Sequence, residues 1–169
     1  MNDKELVQGC IDGNYRAQRE LYNHFSPKMM GICLRYAANR SEAEDILQDG
    51  FVKVFRKIDT YTAKGPLGAW IRRIIVNTAA QSYRDSKNLR LSTDLDQVDF
   101  FLESNDNVIE SLSARELIAK IMELPTGYRV VFNLYAVEGF THPEIAEKLG
   151  ISSGTSKSQY SRARAMLRK

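Results

Sequence analysis

The sequence predicts an all-α protein of two small helical domains joined by a flexible acidic linker, the second a helix-turn-helix domain. Three observations carry this. Every strong apolar periodicity is helical, and no run joins strict alternation to hairpin turn chemistry. The periodicity fails from about Asp85 to Ser111, where Asp, Asn and Ser residues surround scattered Phe100, Phe101 and Leu102. Charge also changes sign in blocks: Ser41–Gly50 has four acids and no base, Gly68–Arg90 five bases and one acid, Leu91–Glu116 seven acids and one base, and Ser153–Lys169 five bases and no acid. Such alternation suits a protein with several charged partners, which the small net charge of +3 alone would not announce.

The first helices are expected over about Asp3–Gly13 and Tyr15–Arg40, with Leu21, Phe25, Met29, Ile32, Leu34 and Tyr36 as apolar contacts around Pro27. The next is expected to start at Ser41, capped by its hydroxyl, with Glu44 three residues on closing a capping box. Ile46, Leu47, Gly50, Phe51, Val54, Phe55 and Ile58 then recur at helical spacing, which leaves Asp45, Gln48, Asp49 and Val52 on another face. That face is either a solvated stripe or a docking surface.

A turn over Thr60–Gly65 leads to Pro66, which suits a first helical position because its missing amide donor is not needed there. The helix runs to about Tyr83 or Arg84. Leu67, Ile71, Ile74, Ile75 and Thr78 form its buried side, while Trp70, Arg73, Asn77, Gln81 and Arg84 follow at spacings of three or four. An aromatic ring, arginines and amides on one stripe can stack on or hydrogen-bond to unpaired bases, although a lone Trp in an amphipathic helix also packs readily in a core. Beyond the linker, helices are expected over Leu112–Glu123 and Pro125–Val137, with Leu117, Ile121, Val130, Val131, Leu134 and Val137 as core.

The sharpest local signal comes last. Thr141, Pro143 and Glu144 form a capped helix start, Ile145, Ala146 and Leu149 its apolar side, and Gly150 its end. Ile151 fills the turn and a second helix follows over about Ser153–Arg168, so the order is short helix, tight turn, longer helix. On that second helix Thr155, Lys157, Ser158, Gln159 and Arg162 offer donors for base edges and cations for phosphates. A cationic terminal helix favoured by the helix dipole is the plainer reading of the same residues.

Catalysis finds no support. The chain has two histidines, in unrelated contexts, and GISSGTSKS lacks the ending of a phosphate loop, so no catalytic residue, metal site or cofactor is expected. Cys10 and Cys33 have no redox or metal-ligand spacing and are expected to be buried small residues. No apolar run approaches a spanning helix, and MNDKELVQGC lacks the basic-then-apolar order of a signal peptide. A cytoplasmic protein without membrane insertion is the expectation.

Together these segments resemble the extracytoplasmic-function sigma factors of the sigma-70 family. AEDILQDGFVKVF, Ala43–Phe55, is similar to the family's polymerase-docking helix, and GAWIRRIIVNTAAQSYR, Gly68–Arg84, to its promoter-melting and minus-10-reading helix. Leu124–Lys169 is similar to its minus-35-reading domain. The resemblance implies a region 2-like domain over 1–90, a linker over 91–111 and a region 4-like helix-turn-helix domain over 112–169. The implied partners are core RNA polymerase, promoter DNA and an anti-sigma factor.

By the same resemblance, Asp45, Gln48, Asp49 and Val52 would face the clamp helices of the polymerase's largest subunit. The loop from Tyr61 to Gly68 would hold a flipped base, with Trp70, Arg73, Asn77 and Arg84 at the minus-10 element and Thr155, Lys157, Ser158, Gln159 and Arg162 at the minus-35 element. The acidic linker would thread the polymerase cleft. Two positions depart from the family pattern: Ser156 stands where an aliphatic residue is usual and Gln159 where a basic one is frequent. Tyr160 replaces a usual leucine and is expected to fill volume missing at Ser156. The alternative is a helix-turn-helix regulator that binds promoter DNA without being a polymerase subunit; it leaves the Ala43–Phe55 stripe and the Trp70 helix unexplained.

Overall fold

The fold is that of a computed structural model, which describes residues 1–90 and 114–168. The chain divides into two compact units, Met1–Ala79 and Ala80–Lys169. The described secondary structure is helical throughout.

In the first unit, α1 (Asp3–Ile11), α2 (Tyr15–Tyr36) and α3 (Arg40–Lys57) are followed by a 3-10 turn (Ile58–Thr60) and by the start of α4 (Leu67–Arg90). Asparagines begin three of these helices: Asn2 with Glu5 in a capping box, Asn14 and Asn39. Each side chain accepts hydrogen bonds from first-turn amides that have no intrahelical partner. The start of α3 thus differs from the expected one. Asn39 Oδ1, not Ser41, accepts from Glu42 N–H at 2.8 Å, while Glu42 Oε2 accepts from Ala38 N–H. Pro66 likewise lies one residue before α4, its carbonyl accepting from Trp70 N–H at 3.2 Å. α2 ends at Tyr36 rather than Arg40, and α4 runs on to Arg90.

The core of this unit joins Leu6, Leu21, Ile32, Tyr36, Ile46, Phe51, Val54, Leu67, Ile71 and Ile75, all buried. Gly50 is buried on α3, and a Cβ there would run into Ile75 Cδ1, so the two helices meet backbone to side chain with nothing between. Cys10 and Cys33 are buried and free, as expected.

The second unit holds α5 (Ala114–Glu123), α6 (Thr126–Phe132), a π-helical turn (Asn133–Val137), α7 (His142–Leu149) and α8 (Ser153–Leu167). Ile121, Leu124, Ala163 and Leu167 form one cluster, flanked by Leu117, Tyr128, Phe132 and Met166. Val130, Val131, Leu134, Ile145 and Leu149 are also buried. Val137, expected in the core, is 42% exposed. The π turn explains this: Glu138 N–H donates to Asn133 O, five residues back, and the extra residue per turn rotates the succeeding positions off the helical stripe.

Candidate functional site

On α3, Asp45, Gln48, Asp49 and Val52 lie at helical spacing on one face and all are exposed. Val52 is 47% exposed, a large apolar side chain set among carboxylates. Among the described residues neither Asp45 nor Asp49 has an ion pair; the nearby Glu44 pairs with Arg40 at 3.3 Å. A shallow groove between α2 and α3, lined by Tyr22, Ser26, Met30, Leu47 and Gln48, adjoins this face. Sequence reasoning missed the α2 side of it, having singled out neither Tyr22 nor Met30 on that helix.

At the start of α4, Tyr61 and Trp70 are half-buried, their ring centroids 5.5 Å apart and tilted by 53°. The Tyr61 hydroxyl donates to the Gly65 carbonyl, which closes the loop on itself, and Ala63 stands in the left-handed region at φ 59°. Arg73 and Asn77 follow Trp70 at spacings of three and four, both exposed. Arg84 is placed otherwise. Its Nη1 donates to the Glu147 carbonyl at 3.3 Å, and its guanidinium lies against Gly150. Arg73 and Asn77 thus follow the Tyr61–Trp70 pair at helical spacing, while Arg84 bonds within the second unit.

The last two helices are built as their residues dictate. Thr141 Oγ1 accepts from Glu144 N–H and Glu144 Oε1 from Thr141 N–H, the expected capping box. Gly150 takes the left-handed conformation at φ 67°, and Ile151 N–H donates to Ala146 O, which turns the chain sharply into α8. Ser152 caps α8, accepting from Thr155 N–H at 3.0 Å, and its Oγ lies 2.8 Å from Thr155 Oγ1. Lys157, Ser158 and Arg162 are exposed, Thr155 and Gln159 half-buried. Thr155, Ser158, Gln159 and Arg162 share one helical stripe, and the exposed Lys157 lies off it, round the helix from Ser158. Arg164 adds a cation 5.8 Å from the Tyr160 ring.

Ser156 is fully buried, and its Oγ lies 2.8 Å from His142 Nδ1. The imidazole thus meets the polar requirement of Ser156, and Tyr160 packs with Phe132, Tyr135 and His142. Sequence reasoning missed His142 and Tyr135 at this place. Among the described residues no group of three or more His, Cys, Asp or Glu side chains is arranged to hold a metal ion. No described helix is long and apolar enough to cross a membrane.

Comparison with known proteins agrees with this geometry. The family model Sigma-70 region 2 matches residues 21–88, and Sigma-70, region 4 matches residues 114–167. The ECF RNA polymerase sigma-E factor of Haemophilus influenzae is 28% identical over 181 residues, covering 99% of this chain and 94% of its own. The ECF RNA polymerase sigma factor SigW of Bacillus subtilis is 25% identical, covering 98% of this chain and 95% of its own. Among solved structures, CnrH in complex with the cytosolic domain of CnrY matches with a TM-score of 0.50 at 25% identity, over 98% of this chain and 94% of that one. The chain belongs to the sigma-70 family of RNA polymerase sigma factors, in its extracytoplasmic-function group.

Proposed function

We propose that the chain binds core RNA polymerase through α3 and directs it to promoters read in two parts, with residues 1–90 acting at the polymerase and the minus-10 element and residues 112–169 at the minus-35 element. The observation that carries this is the exposed face of Asp45, Gln48, Asp49 and Val52. Carboxylates around an apolar side chain suit a basic partner helix, where charge steers the encounter and burial of Val52 holds it. A regulator acting without polymerase has no use for that face.

At the minus-10 element, strand separation exposes bases whose unstacking costs a few kcal/mol. The Tyr61–Trp70 pair offers a surface to receive one, and Arg73 and Asn77 lie one and two turns along. At the minus-35 element α8 enters the major groove, Gln159 and Arg162 suited to adenine and guanine edges and Lys157 to phosphate. Arg84 belongs to this reading only if its bond to Glu147 opens on DNA. The segment 91–111, whose proposed role is to thread the polymerase cleft, lies outside the described residues.

None of these steps makes or breaks a covalent bond within the chain, so the protein acts as a binding subunit in the cytoplasm, where polymerase is. An anti-sigma factor fits the same reading, and the similar CnrH was itself solved with a protein partner, the cytosolic domain of CnrY. The test is transcription in vitro with sigma-free core polymerase on a genomic promoter library. Starts that share a two-part upstream motif support the proposal. Tight, specific duplex binding without polymerase, and no specific transcripts, would move the assignment to the regulator.

A further inference from the structure

We propose that Ser156 and His142 are positioning residues that determine promoter specificity: their hydrogen bond, held in a clamp of Tyr135 and Tyr160, fixes how α8 sits on the upstream element. This rests on the reading of α8 as the DNA-reading helix. Ser156 is fully buried, and its Oγ meets Nδ1 of His142, the first residue of α7, at 2.8 Å. A buried hydroxyl needs a partner, and the imidazole supplies it.

The imidazole is itself held. Tyr135 stacks on it with centroids 4.3 Å apart and planes 11° from parallel, and Tyr160 of α8 lies 5.9 Å from it and 4.5 Å from Tyr135. Tyr135 belongs to the π turn, so α7, α8 and that turn converge on one hydrogen bond. An aliphatic side chain at position 156 would hold the crossing by contact alone, which tolerates small rolls and slides. A hydrogen bond is directional and weakens steeply with angle. Thr155 and Lys157 flank Ser156 directly, and a base-edge contact is no more tolerant of displacement than the bond that sets it.

The test uses the full chain with core polymerase on a promoter library randomised over the upstream element. Ser156→Thr and Ser156→Val each enlarge the side chain by a methyl-sized branch, but only threonine keeps the hydroxyl; His142→Phe keeps a ring in the clamp and removes the nitrogen. The Thr variant is expected to keep the wild-type upstream preference. The Val and Phe variants are each expected to lose roughly fivefold in discrimination, the worth of one neutral hydrogen bond. The double variant should lose no more than either single one, with the downstream preference unchanged. Equal behaviour of Thr and Val overturns the proposal; if neither supports transcription, an unaltered upstream preference in His142→Phe overturns it instead. Wild-type protein without any upstream preference would overturn the reading of α8 and this inference together, an outcome distinct from the others.

Discussion

Partial burial, and after it the nearby Lys157 ammonium, hold the His142 imidazole below its ordinary pKa of 6.5. Ser156 and the rings of Tyr135 and Tyr160 also contact it, and none of these three carries a negative charge. On acidification the unfolded chain therefore protonates this residue first. Stability from this group is fully present above about pH 6.5 and is lost as the pH falls through the lowered native value. The urea midpoint of the wild type should thus drop more between about pH 7.5 and 5.5 than that of His142→Gln; equal drops would contradict this.

Burial also pushes the Cys33 thiol up to about 12 and raises that of Cys10. A thiol reagent should leave both intact in the native chain and label both in urea, as mass spectrometry would show; rapid native labelling of Cys33 would refute this. The buried cysteines were legible because nothing in their spacing suggested chemistry. The Ser156 departure was legible too, but not its partner: His142 stands fourteen residues upstream across a turn, a separation with no periodic meaning.

Elements were legible where one cap signal stood alone. Thr141 and Glu144 have no rival, and α7 begins as expected. Before α3 two signatures overlap, Asn39 with Glu42 and Ser41 with Glu44, and local pattern does not choose between them. The chain uses the first, so Asn39→Ala should cost about 1 kcal/mol in urea unfolding and Ser41→Ala less than about 0.5 kcal/mol. The reverse order would place the cap where the sequence suggested it. Val137 was misread for a different reason, since the π turn that displaces it leaves no mark in an apolar pattern that continues through it. Gly50 was counted as part of the apolar face of α3, but its function is absence: Gly50→Val should destabilise by about 1–3 kcal/mol because Ile75 already occupies the space.

At the scale of the whole molecule, the alternating charge blocks correspond to distinct surfaces, an acidic face on α3 and basic stripes on α4 and α8, which the proposed function assigns to polymerase and to DNA. That there are two helical units was legible in the sequence, but the structure divides them between Ala79 and Ala80, within α4 and ahead of the lapse in periodicity that begins near Asp85, because the end of a helix can pack with the unit that follows it. The place of Arg84 was not, since a residue that continues a surface stripe in sequence here meets α7 through a carbonyl. Helical spacing relates positions on one helix and is silent on what that helix meets.

The proposed recruitment of polymerase rests above all on the α3 face. The most direct measurement is the affinity of the purified chain for core RNA polymerase, compared with a variant carrying Asp45→Ala, Gln48→Ala and Asp49→Ala. All three positions are exposed, so the unfolding midpoint should hold. The expected result is saturable binding that weakens at least about tenfold in the variant and, for the wild type, weakens with added salt. Equal binding by both chains, or none by either, would contradict it.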